Sequence, residues 1–253
     1  MKRFRNTDNP LYPSAAFIVF IVLWELVVKA NNIKEYRLPS PSAVYNEFIV
    51  SGELLFFHSL TTITEALLGF ILGILLAVLL SVVMSSVKLI RNILYPFIIL
   101  SQTVPIIVIA PLVTIWFGIG IMSKLIICVL VVFFPVALNL TEGLNTYDRD
   151  LEELLKCMNA GKLQIFIKLK LPSALVHFFS GLKIAATYAV MGAVMSEWTG
   201  AESGLGIFLT RSMKSFRTAA MFADITLISA FSILLFILIG LIEKKTIKWN
   251  LKG

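Results

Sequence analysis

Long apolar runs separated by short charged interruptions make up most of the chain. Four windows hold no Asp, Glu, Lys or Arg: Ala66–Val87, Asn92–Ser123, Leu125–Thr141 and Ile225–Ile242. A helix that crosses the hydrocarbon core needs about 20 mostly apolar residues, so each window is long enough, or nearly so, to cross once. Two further runs near 11–29 and 175–196 fit the same template. The pattern predicts an all-α membrane protein with about six transmembrane helices, at 11–29, 60–84, 93–116, 121–140, 175–196 and 221–242. One transmembrane domain over 1–253 accounts for the length and leaves no room for a soluble catalytic domain. Lys2, Arg3 and Arg5 ahead of the first run imitate a signal peptide, but no small-residue cleavage site follows, so a retained helix is expected.

Finer features sit on this frame. Gly69, Gly73 and Ala77 put a small residue at every fourth position of the second span, which lets helix backbones approach closely. Packing within the chain is one reading of that stripe and dimerisation the other. The third span holds Pro96, Pro105 and Pro111, with Gln102, Thr103 and Thr114 nearby. Proline removes a backbone donor and kinks a helix, which a bilayer tolerates only where neighbours or water satisfy the freed carbonyl. That span is either a broken helix beside a translocation path or a bent structural helix. Outside the spans, "KEYRLPSPSAVYNEF" predicts a short amphipathic helix from about Ser42. "SEWTGAESGLGIFLTRSMKSF" reads as a gate-like loop or an interfacial anchor.

Composition agrees with the pattern. The chain is 58% hydrophobic and 15% charged, against roughly 25% charged in soluble domains, and its mean hydropathy is +0.90. The net charge of +7 has a topological reading rather than a nucleic-acid one. Of the 22 Lys and Arg, 15 fall on the side that holds both termini and 7 on the other. Lys and Arg collect on the cytoplasmic side, so both termini are expected there. Cys128, Cys157, His58 and His177 are isolated, so neither a disulfide nor a metal site is expected. Glu25, Glu65 and Glu142 sit at predicted span ends, and no buried acid–base pair of the kind used in ion relays is expected.

The segment "EELLKCMNAGKLQIFIKLKLP", Glu152–Pro172, is charged where its surroundings are apolar. Leu151, Leu154, Leu155 and Met158 recur at helical spacing, and Glu152 and Glu153 occupy the first turn, where the helix dipole favours acids. Asn159, Ala160 and Gly161 supply a break. A surface helix lying on lipid, an elbow without a partner, and a rigid helix that docks into another protein's groove all fit.

The spacing resembles the coupling-loop motif of bacterial ABC importer permeases, E-A-A, three residues, G, nine residues, I-x-L-P. Glu153 matches the Glu, and Pro172, preceded by Leu169 and Leu171, matches the closing end. Leu154 and Leu155 replace the two alanines and Asn159 replaces the glycine; Asn tolerates the left-handed conformation, so the turn is expected to survive. "RLPSPSAVYNEF", "QTVPIIVIAPLVTIWFGIG" and "GAVMSEWTGAESGLG" extend the likeness to the nitrate/sulfonate/taurine type, and the last two, with "RSMKSF", are most similar to the branch that imports the pyrimidine precursor of thiamine.

That resemblance implies a type I ABC importer permease (MetI-like) fold in the bacterial cytoplasmic membrane. Its implied partners are two ATP-binding subunits, an external substrate-binding protein and a second copy of the permease. ATP and Mg would be bound by the ATPase subunits, since this chain has no G-x-x-x-x-G-K-[ST] loop. The coupling loop would span 148–172, with Glu153, Leu154, Leu155, Met158, Asn159, Ala160, Gly161 and Pro172 engaging the ATPase. Gln102, Thr103 and Pro105, with Glu197 and Trp198, would line the path. The substrate would be a pyrimidine precursor, or alternatively a nitrate-, sulfonate- or taurine-type anion; a secondary transporter or channel is the rival class.

Overall fold

A computed structural model describes residues 11–247, so the cations Lys2, Arg3, Arg5, Lys248 and Lys252 used in the charge count lie outside the described residues. Eleven helices follow in order: α1 Leu11–Ala30, α2 Pro41–Val50, α3 Gly52–Ser86, α4 Lys88–Ser101, α5 Ile106–Phe117, α6 Ile121–Asn145, α7 Arg149–Cys157, α8 Lys162–Ile165, α9 Leu171–Glu197, α10 Leu205–Lys214 and α11 Thr218–Thr246, with a π-helical turn at Phe166–Lys170 between α8 and α9. No strand occurs among the described residues. Five helices are long and apolar enough to cross a membrane, and α4 with α5 passes the same test only as a pair bent by 104°. Each predicted span overlaps one of these five helices or the bent pair.

The second span differs from expectation in extent, and the third takes the broken form of the two expected. The second, predicted from residue 60, begins at Gly52. Its extra turns carry Glu53 and His58, which read as loop, but they are held by tertiary contacts: the Gly204 N–H donates to His58 Nδ1 at 2.9 Å and Thr61 bonds Ser203 at 3.3 Å. The third span is two helices that meet at 104°. Pro96 and Pro111 lie inside α4 and α5; only Pro105 falls at the break, just before the first turn of α5, where its missing N–H deprives the helix of nothing.

α3, α6 and α9 form the centre. A Cβ on Gly69 would overlap Cys128, and one on Gly73 would lie 2.8 Å from Val132 Cβ. The small stripe of α3 is therefore the seat of α6, which decides for packing within the chain. Gly181 and Gly192 bring α9 onto Pro135 and Val131 of α6 in the same way, and Ala185, Ala186, Ala189 and Ala193 are fully buried between them. Since lipid is as apolar as leucine, close backbone approach and dispersion contacts hold such a core together.

The predicted helix from Ser42 is α2, which starts one residue earlier. Ser40 caps it by accepting from the Ala43 N–H, and proline stands at its first turn. Glu25 of α1 receives the Ser42 N–H and hydroxyl at 3.0 and 2.8 Å. Arg217, at the start of α11, pairs with Glu47 of α2 at 2.5 Å. The outer surfaces of α1, α5 and α11 are largely exposed leucine, isoleucine, valine and phenylalanine.

Candidate docking helix and translocation cavity

α7 is built as a short rigid hook. Asp148 caps it, accepting from the Asp150 and Leu151 N–H groups at 2.9 and 3.3 Å, and Asp150 and Glu152 occupy the first turn. At the other end Asn159 adopts φ +60°. The Ala160 N–H donates to the Leu155 carbonyl and the Asn159 N–H to that of Lys156, both at 2.9 Å, a Schellman closure with asparagine in the left-handed position. Gly161 then starts α8, its N–H donating to the Gln164 side chain at 3.0 Å. Pro172, expected to close the loop, stands at the first turn of α9, which begins at Leu171.

The two faces of α7 differ. Glu152 pairs with Lys156 at 3.1 Å, and hydrogen bonds from Tyr147 and Lys156 hold its carboxyl below the usual carboxylate range. Lys170 sits 4.4 Å from the centre of the Tyr147 ring. Opposite them Leu151, Leu154 and Met158 are 46%, 55% and 71% exposed, with Leu155 half-buried. Glu153 is exposed and has no ion-pair partner among the described residues. No residue of α7 is buried. An apolar stripe on a capped helix, turned away from its own bundle, is the geometry of a helix that anchors in a groove.

The α4–α5 break opens a cavity of about 260 Å³. Ser101, Gln102, Val104 and Ile106 line one side, Val131, Phe134 and Pro135 of α6 the second, and Ile184, Tyr188 and Met191 of α9 the third. None of these residues is charged. Gln102 thus lies on the wall; Thr103 and Pro105 form the break itself, and the Thr103 hydroxyl turns back to the Leu100 carbonyl at 2.7 Å. Tyr188, Phe134 and Met191 were missed from sequence, although Ile184, Tyr188 and Met191 recur at i, i+4 and i+7 on a half-open face of α9.

Glu197 and Trp198 do not join that wall. Nine residues separate Tyr188 from Glu197, about 13 Å along a helix. Glu197 is fully buried; its carboxylate receives the Thr62 hydroxyl at 2.6 Å and the Gly206 N–H at 2.5 Å. Thr62 in turn accepts the Leu205 N–H at 2.8 Å. Gly204 has φ +126°, and a Cβ there would overlap the Glu197 carboxylate. Glu197 therefore clasps the glycine-rich loop onto α3, with its oxygens turned into the protein. Trp198, next in sequence, is 44% exposed.

The expectation of no buried acid–base pair is also corrected. Lys124 Nζ lies 2.6 Å from Glu65 Oε1, with side chains 13% and 4% exposed, and Asp224 is fully buried with neither oxygen hydrogen-bonded among the described residues. Fifty-nine residues separate Glu65 from Lys124, so no local pattern reveals the pair. Lys183 of α9 is paired with Glu243 of α11.

A family model for the inner membrane component of binding-protein-dependent transport systems matches residues 69–248, which takes in the α3–α6–α9 centre, the break and the α7 hook. The chain belongs to this family. The permease is 38% identical over 249 residues to the formylaminopyrimidine transport permease protein ThiX of Halalkalibacterium halodurans, covering 98% of this chain and 99% of that protein. It is 33% identical to the riboflavin transport system permease protein RibX of Chloroflexus aurantiacus, over 92% of this chain and 88% of that one. With the taurine transport system permease protein TauC of Escherichia coli it shares 26%, over 92% and 87%. The permease is thus a multi-pass membrane transport subunit of the ABC importer class.

Proposed function

We propose that the permease works as a homodimer on two ATP-binding subunits, with α7 inserted in a groove of each, and imports a neutral pyrimidine precursor handed over by an external binding protein. Both termini and α7 face the cytoplasm, consistent with the 15 to 7 division of Lys and Arg. ATP and Mg are bound and hydrolysed by the partner subunits. Closure of the ATPase pair moves the α7 hooks, the spans rock to open outward, and hydrolysis resets them. The path passes the α4–α5 break at Gln102, Thr103 and Pro105. The single observation that carries the docking is the exposed stripe Leu151, Leu154 and Met158 on a helix capped at both ends. Leu154, where the family motif has alanine, implies a socket deeper than alanine needs.

Two observations favour a neutral heterocycle. The relatives at 38% and 33% identity carry formylaminopyrimidine and riboflavin in their names, and the cavity at the break has no charged wall residue. A sulfonate- or taurine-type anion is the second reading, supported by TauC at 26% identity.

Glu153→Ala with Leu154→Asp tests the docking. The variant should reach the membrane in normal amount, fail to retain the ATPase on purification and lose ATP-driven uptake. Normal uptake with a bound ATPase would refute the assignment of α7. Thermal shift of the partner binding protein with aminopyrimidines, taurine and nitrate decides the substrate class.

A further inference from the structure

We infer that the cavity at the α4–α5 break is a selective site for one neutral planar nitrogen heterocycle, read by Gln102 and Tyr188 and stacked on Phe134, so that the permease itself discriminates among solutes. This rests on the reading above that solute passes the break.

Size comes first. A cavity of about 260 Å³ falls just under the range of roughly 300–1,000 Å³ that suits drug-sized ligands, so it fits a single substituted ring. The wall then offers two kinds of contact. Phe134, Tyr188 and Met191 present aromatic and thioether surface to a ring face. Gln102 and Tyr188 carry side-chain donors and acceptors that form no hydrogen bond within the described protein, and a heterocycle has both kinds of group on its edge.

The backbone adds to this. Pro135 has no N–H, so the Val131 carbonyl lacks its helical donor, and both residues line the cavity. The first N–H groups of α5 have no side-chain cap, and Ile106 lines the cavity as well.

Charge decides against an anion. No cation lines the cavity, and Lys183, the residue before Ile184, is engaged with Glu243. An uncompensated ion in so apolar a setting is strongly disfavoured, whereas a neutral ring enters without that penalty.

The test uses the whole transporter in nanodiscs and proteoliposomes, with a photoreactive diazirine derivative of an aminopyrimidine as probe. On permease and ATPase without the binding protein, labelling should be saturable, competed by free aminopyrimidine and not by taurine, and confined to peptides holding Gln102 or Tyr188. Gln102→Ala and Tyr188→Phe should each weaken labelling roughly three- to tenfold, the worth of one neutral hydrogen bond. Thr226→Ala, on an exposed part of α11, should leave it unchanged. Gln102→Arg should abolish aminopyrimidine labelling and admit taurine in the uptake assay. If wild type imports aminopyrimidine but shows no saturable labelling at these peptides, the site is wrong and the proposed function stands. Should wild type instead import taurine or nitrate and reject aminopyrimidine, the substrate reading fails and the site with it.

Discussion

Glu197→Ala separates two roles for a carboxylate that lies at the end of a span. Within the bundle it receives two hydrogen bonds, from the Thr62 hydroxyl at 2.6 Å and the Gly206 N–H at 2.5 Å. A bond to a charged group is worth about 1.5–3 kcal/mol. The Thr62 hydroxyl can fall back on the His58 carbonyl, 3.3 Å away, but the Gly206 N–H is left buried without an acceptor. We therefore expect a loss of about 3–5 kcal/mol, the sum of two such bonds less what Thr62 regains. At about 2–4 °C per kcal/mol for a chain of this length, the melting temperature should fall by roughly 6–20 °C. The assay is thermal unfolding of the purified permease in nanodiscs, beside uptake at a temperature where the variant is still folded. Thr62→Val should cost nearly as much, and the double variant less than the sum, because both act on one clasp. A Glu197→Ala protein that melts with wild type but has lost uptake would show that the carboxylate meets the solute, and the clasp would be refuted.

Three further outcomes follow from the packing. Lys124→Met should destabilise by about 3–5 kcal/mol by leaving Glu65 buried and unpaired, while Glu65→Leu with Lys124→Met should recover most of the loss; equal melting temperatures for the single and double variants would refute the buried pair. Gly73→Ala places a methyl 2.8 Å from Val132 Cβ and should cost about 1–3 kcal/mol by overpacking, whereas Gly52→Ala, with nothing within 4 Å of the new Cβ, should change the melting temperature little. At Asn159, with φ +60°, glycine should preserve hydrogen-exchange protection of α7, and valine should reduce it by about 1–2 kcal/mol of left-handed strain; identical protection in the two variants would argue against the Schellman closure.

The two halves of this protein were legible to different degrees, and the medium explains why. In water an apolar stripe points inward, so periodicity reports burial. In a bilayer both lipid and protein neighbours are apolar, and hydrophobicity gives the positions of spans without their facing. The apolar runs therefore suggested six spans, but nothing in them told that Tyr188 opens on a cavity while Ala189 is sealed against a neighbour. Small residues do carry facing, because only a close helix requires them; Gly69, Gly73 and Ala77 correctly marked a contact surface, although only the structure shows that α6 occupies it. The α7 hook lies outside the apolar runs, where soluble-protein rules apply, and its stripe and its break at Asn159 could be read directly, while its first turn holds Asp150 and Glu152 in place of the expected Glu152 and Glu153 because the helix begins at Arg149.

Polar residues within the spans follow a third logic. Each needs a partner, and the partner can stand anywhere in the chain. Glu197 beside Trp198 looked like the mouth of a path, yet it is satisfied by Thr62, 135 residues away; Glu65 looked like a span end, yet it holds Lys124. Gln102 is the contrasting case. Its side chain is exposed, forms no hydrogen bond among the described residues and stands where a helix has been broken, so it does not fasten the bundle.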